Sequence, residues 1–208
     1  MATTTVLRRD IFGNITGVGG PNLTPLLAMA GDTNKVLHAQ VSGDEVEYLG
    51  ESAALDGVVT AVENSSSPFH VLTANGITRL TTANSPVVVD RFLFKSGSGK
   101  WLALFGTNNL VTPTERGGIQ TIHKTSGAVL ASITGLCNDS RYAAALTSEG
   151  YLWVVDGVTA TIKTVRVNTT SGALTLIGSC PAPNCREIVK VVLDSFNGNL
   201  FVVCRNRI

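Results

Sequence analysis

Residues able to do chemistry fall into a few groups, and each has a specific spacing requirement to meet. Ser96-Gly-Ser-Gly-Lys100 ends like a phosphate-binding loop. Such a loop needs a glycine five residues before Gly99 and Ser or Thr after the lysine, so that backbone N–H groups can cradle phosphate as a helix begins. Phe94 and Trp101 occupy those places and the flanks are strand-formers, so the segment reads as a hairpin turn. His38, His70 and His123 show no HxH or HExxH spacing and no His/Cys pairing, and read as isolated strand residues instead of metal ligands. Cysteines stand at Cys137, Cys180, Cys185 and Cys204. Packed thiols are the leading reading; a small loop closed between Cys180 and Cys185, or a metal site, stays open.

Hydrolysis of a glycoside would need two converging carboxylates. Glu63, Asp90, Asp139 and Asp194 are the candidates, yet nothing in the sequence singles out a pair, and acids beside turns commonly shape the turn. No catalytic, cofactor-binding or metal residue is therefore assigned, and no cofactor is expected. Trp101 and Trp153 could stack on sugars, although a Trp inside an apolar strand reads first as core. Charge is biased toward the two ends of the chain: Arg8, Arg9, Arg186, Lys190, Arg205 and Arg207 face only Asp10, Glu187 and Asp194. These six cations are the candidate contact for an acidic partner; the plainer reading is a solvated strand edge guarded against aggregation.

Composition narrows the classes. Of 208 residues only 15% are charged, below the ~25% of ordinary soluble domains, so solvated ion-paired faces are few. A balance of 16 Lys+Arg against 15 Asp+Glu argues against a nucleic-acid binder, which needs a strong positive field. No run approaches the ~20 apolar residues of a membrane-crossing helix, so no membrane insertion is expected. The N-terminus lacks the apolar segment of a signal peptide, which points to cytoplasmic synthesis. The Asn-x-Ser/Thr triplets then reflect turn composition.

These residues must be held by strands. Helical periodicity is missing, and short runs rich in Thr and Val are bounded by Gly, Asn, Asp and Ser. Residues 141–148, 151–156, 161–168 and 173–179 read as a four-stranded antiparallel meander. Residues 87–95, 101–107, 118–124 and 128–135 read as another, with an irregular loop at 108–117. Strand, Thr-Ser-Gly turn and strand recur in both, the turns starting 45 positions apart at Thr125 and Thr170. A period in this range is that of a propeller blade. Upstream, 24–30, 35–41 and 45–50 form one unit and 57–64, 68–73 and 77–82 another. Residues 186–195 and 199–206 supply half a unit, and 4–10 with 15–19 supply the other half.

The chain thus resembles a β-propeller protein, and residues 161–179 (TIKTVRVNTTSGALTLIGS) are similar to the outer hairpin of lactonase-like propellers. Lactonase-like proteins carry seven blades, more than this length holds, and the Trp-Asp dipeptides of WD40 repeats and the sialidase box are absent. The expected fold is all-β: a five-bladed β-propeller, blades 23–55, 56–86, 87–136, 137–180 and 181–208 plus 1–20, closed by N-terminal strands in the last blade. Val6 and Leu7 are expected to ladder against the stretch around Val203. The leading functional expectation is a non-enzymatic structural or attachment component presenting surface to other protein subunits of an assembly, a virus or phage particle being the favoured one. The alternative is a carbohydrate-binding propeller with glycan as partner, and behind it a small hydrolase.

Overall fold

In the computed structural model, residues 6–9, 15–19, 26–29, 34–42, 45–63, 68–96, 99–182, 188–194 and 199–205 are described. They divide into two compact units, residues 1–93 and 94–208.

In the first unit β1 (Val6–Arg9) and β2 (Ile15–Gly19) form a two-stranded ladder. Next, β3 (Leu26–Met29), β4 (Val36–Ser42) and β5 (Glu45–Glu51) form a three-stranded antiparallel sheet. A four-stranded meander follows: β6 (Val59–Glu63), β7 (Phe69–Thr73), β8 (Gly76–Leu80) and β9 (Val88–Leu93). Its apolar face, with Val59, Phe69, Val71 and Leu80, packs on Val36 of the three-stranded sheet and on Leu55.

The second unit begins with β10 (Ala103–Phe105), β11 (Asn109–Pro113), β12 (Ile119–His123) and β13 (Val129–Ile133) in sequential antiparallel order. A second meander has β14 (Tyr142–Leu146), β15 (Tyr151–Val155), β16 (Thr161–Val167) and β17 (Leu174–Pro181). Phe105, Val111 and Ile119 of the first pack against Leu152, Val154 and Val165 of the second. Burying both faces is why NLVTP dispenses with polar alternation, whereas YLWVV buries Leu152, Val154 and Val155 and leaves Tyr151 and Trp153 half-buried. The pair β18 (Ile188–Asp194) and β19 (Asn199–Cys204) completes the unit, with β18 beside β14.

The 45-residue repeat has a physical basis. His123 Nδ1 accepts from the backbone N–H of Ser126 at 3.3 Å, and Asn168 Oδ1 accepts from those of Thr170 and Ser171 at 3.0 and 2.9 Å. Both turns then close on a glycine in the left-handed region, Gly127 (φ 70°) and Gly172 (φ 76°), which donates back to the carbonyl of His123 or Asn168 at 2.8 Å.

Several expectations need correction. Residues 88–93 are the outer strand of the sheet of β6–β8, so a boundary at 86/87 cuts a sheet, and this early sheet has four strands. The stretch expected as an irregular loop at 108–117 contains β11, fully buried, and only its end is irregular, a 3-10 turn at Glu115–Gly117. Pro113 disguised it: it sits at the strand's last position, past the end of the ladder with β10 at Val111, so its missing N–H costs no ladder bond. Ser96 to Lys100 joins two sheets and is not a hairpin turn within one. Cys204 is disulfide-bonded while Cys137 and Cys180 are free, so neither four reduced thiols nor a Cys180–Cys185 loop holds. The expected ladder of Val6 and Leu7 on Val203 would link the two units; the described ladders join β1 to β2 and β19 to β18.

Candidate interaction surface

The sheet of β18 and β19 has two unlike faces. Leu200, Val202 and Cys204 alternate with Phe201 and Val203, and the first set is half-buried together with Val191 and Leu193. The other face is open. Phe201 is 54% exposed and Val203 46%, and Val192, directly across from Phe201, is 38% exposed. Lys190, paired with Val203, is half-buried on this face, and exposed Arg205 follows two residues later. Three large apolar side chains flanked by two cations thus share one open face.

The structure therefore brings Lys190 and Arg205 together on one ladder. Arg8 and Arg9 lie on a different one, opposite Gly17 and Ile15, and Arg186 and Arg207 fall outside the described residues. The apolar face itself escaped the sequence reading because FVVC looks the same whether one face or two are covered.

A second open surface lies on the β14–β17 sheet, on the side away from its packed core. Tyr151 and Trp153 stack there at 5.9 Å between ring centroids and 21° between planes. Arg166, opposite Tyr151 in the ladder, holds its guanidinium 4.4 Å from the tyrosine ring centre. Tyr151 and Arg166 border a cleft of about 580 Å³ rimmed by Glu149, Asn168 and Thr175. Trp101, by contrast, is core: its indole N–H donates to the Ser140 carbonyl at 2.8 Å.

The other titratable groups serve the scaffold. Asp156, 2% exposed, accepts from the backbone and side-chain amides of Asn138, both at 3.0 Å, and from the N–H of Val158 at 2.9 Å. Burial alone would raise its pKa; the hydrogen bonds from Asn138, Val158 and Thr159 outweigh that and hold it below the usual carboxylate range. Burial pushes the Cys137 thiol up to about 12, and the Asp156 carboxylate adds to the effect. Asp139 sits 3.5 Å from the Arg141 guanidinium. Glu63, His70, Arg79 and Asp90 fall in register as one row across β6–β9, the Arg79–Asp90 bond being 2.6 Å and His70 Nδ1 lying 3.7 Å from Glu63. Three strand spacings of ~4.8 Å put the two carboxylates at its ends roughly 14 Å apart, beyond the ~6.5–9.5 Å of an inverting pair. His38 faces the Ala83 carbonyl at 2.8 Å.

No protein-family model matches the sequence, and no curated protein matches it. Solved structures do. The C-terminal WD40 domain of Sif2 aligns with a TM-score of 0.63 at 10% identity, over 84% of this chain and 50% of that one. The WD40 β-propeller domain of Doa1 aligns at 0.55 and 15%, over 85% and 59%. A Bacteroides uniformis protein assigned as a 6-phosphogluconolactonase aligns at 0.60 and 15%, over 86% and 63%. The chain thus spans between 50% and 63% of the length of these structures. Sequential antiparallel meanders, a repeated outer turn and these neighbours lead to one conclusion: the chain has a β-propeller fold.

Proposed function

We propose that this propeller is a non-enzymatic component of a larger assembly and acts by presenting surface to other protein subunits. One observation carries the reading: the open face of Val192, Phe201 and Val203 with Lys190 and Arg205 beside it. An isolated exposed leucine or valine is ordinary, but large apolar side chains grouped on one sheet face mark a contact surface. Two of the propeller neighbours are WD40 domains, which supports a role in protein interaction. A virus or phage particle is the assembly we favour, on the low charge and short loops of the sequence.

The test is electron cryomicroscopy of assemblies isolated with the chain from its source, beside a Phe201→Asp variant. Density for the propeller at repeated positions, lost with Phe201→Asp, is the expected result. A variant that incorporates as well as the parent overturns the assignment of this face.

A carbohydrate-binding reading has the Tyr151–Trp153 stack in its favour. Against it, the Arg166 guanidinium already covers the tyrosine ring. A glycan array without hits removes it.

A further inference from the structure

Two backbone outliers border one cleft. Among the described residues, Arg116 (φ 58°) and Ala160 (φ 50°) are the non-glycine residues in the left-handed region. Arg116 stands in the turn between β11 and β12, and Ala160 in the turn between β15 and β16, on the two meanders that pack together in the second unit. A Cβ disfavours this conformation, and residues held in it cluster at ligand clamps. Between the two turns lies the cleft, about 720 Å³, lined by Arg116 from one meander and by Thr159, Thr161 and Lys163 from the other. The connection from β13 to β14 adds Cys137 and Asn138 and is fixed from both sides. Cys137 N–H donates to the Gly117 carbonyl at 3.0 Å, and Gly157 N–H donates to the Asp139 carbonyl at 3.1 Å.

The charged groups in this cleft differ in what they have left to bind with. Asp156 is the carboxylate among its lining residues, and each of its oxygens already accepts two N–H donors, from Asn138 on one and from Val158 and Thr159 on the other. The Cys137 thiol, pushed up to about 12, carries no charge at neutral pH. Arg116 is exposed and Lys163 half-buried, and neither makes a hydrogen bond or ion pair with a described residue. Thr159 donates its hydroxyl to Thr161 Oγ1 at 3.0 Å, which leaves the Thr161 hydroxyl its own proton to donate. Glu115 and the Asp139–Arg141 pair line a separate, smaller cleft on the other side of Arg116.

Two cations with unspent donors, one from each meander, therefore share a cleft with a carboxylate that is already saturated. A planar monocarboxylate carries one charge for the two cations, whereas a tetrahedral dianion matches both and has oxygens for a guanidinium fork, an ammonium and a hydroxyl. We propose that this cleft binds a phosphate group, in the dianionic form it has as the free ion or as a monoester. Arg116 takes two of its oxygens, and Lys163 and the Thr161 hydroxyl take the others. This need explains why arginine occupies a left-handed position that glycine would fill with less strain.

The test is titration calorimetry of the purified full chain with inorganic phosphate, glycerol 3-phosphate and acetate, in a chloride buffer above neutral pH. Both phosphates should bind and acetate should not. Arg116→Gly and Lys163→Met should each weaken phosphate binding by about tenfold or more, while Arg91→Gln, an exposed cation of the first unit, should bind as the parent does. Arg116→Gly should melt at or above the parent, because glycine relieves the turn, so its loss of binding is not a loss of fold. Tighter binding of glycerol 3-phosphate would support an ester as the source of the group, and equal binding the free ion. Acetate binding as well as phosphate, no phosphate binding by the parent, or parental binding in both cleft variants overturns the proposal. A melting point of Arg116→Gly well below the parent's also overturns it, since Arg116 would then serve the fold. All of these outcomes leave the β18–β19 face untouched as a surface for other proteins.

Discussion

Replacing Asp156 by alanine should destabilise the chain by about 3 kcal/mol. Its two oxygens accept from two backbone N–H groups at 3.0 and 2.9 Å, from the Asn138 side-chain amide at 3.0 Å, and from Thr159 N–H at a long 3.4 Å. Water entering the adjoining cleft of about 720 Å³ can reach the Asn138 amide and Thr159, which both line or border it. The N–H groups of Asn138 and Val158 are left, each costing ~1–3 kcal/mol when a partner is removed. Urea denaturation should show a lower midpoint with an unchanged slope, and at this chain length Tm should fall by roughly 6–12 °C. Asp156→Asn keeps one acceptor and should lie between. The pH dependence has a definite sign. A carboxyl held below its unfolded value contributes stability that is full above pH ~4–5 and vanishes as pH falls through the folded value. The parent and Asp156→Asn should therefore converge in acid. A loss under about 0.5 kcal/mol in Asp156→Ala, or a gap that widens as pH falls, would refute the reasoning.

Other outcomes follow from particular contacts. Gly117 has φ 69° and a Cβ there would fall on the Cys137 carbonyl, so Gly117→Ala should cost roughly 3 kcal/mol or more, whereas Gly135→Ala, at φ 62° with nothing within 4 Å, should cost only ~1 kcal/mol; paired thermal melts decide it. With its thiol pushed up to about 12, Cys137 stays neutral at pH 8, so a thiol reagent should label exposed Cys180 at once and Cys137 only on unfolding, as peptide mapping will show. Trp101→Phe leaves the Ser140 carbonyl without its 2.8 Å donor and should lose about 1–3 kcal/mol in chemical denaturation.

The sequence disclosed the fold through its turns more than its strands. Thr125 and Thr170 open turns with the same geometry because His123 and Asn168, unlike as side chains, both offer an acceptor two residues earlier. Strand β11 was hidden since burial on both faces erased alternation and Pro113 mimicked a break. The assignment of residues 88–93 failed for another reason: a meander's last strand and the next meander's first look alike until the ladders are known. Of the candidate cations, Lys190 and Arg205 were findable by charge, but the apolar side chains between them were not, because exposure depends on which strands arrive to cover them.

Every ladder in the described residues joins strands adjacent in the sequence. Each β-strand thus meets its partner a few residues after leaving the ribosome, and loop-closure entropy stays small. A sheet can reach its own hydrogen-bonded state before its successor exists, with stacking added stepwise. In evolutionary terms, duplicating or deleting one 45-residue segment adds or removes a whole module without re-registering any other strand.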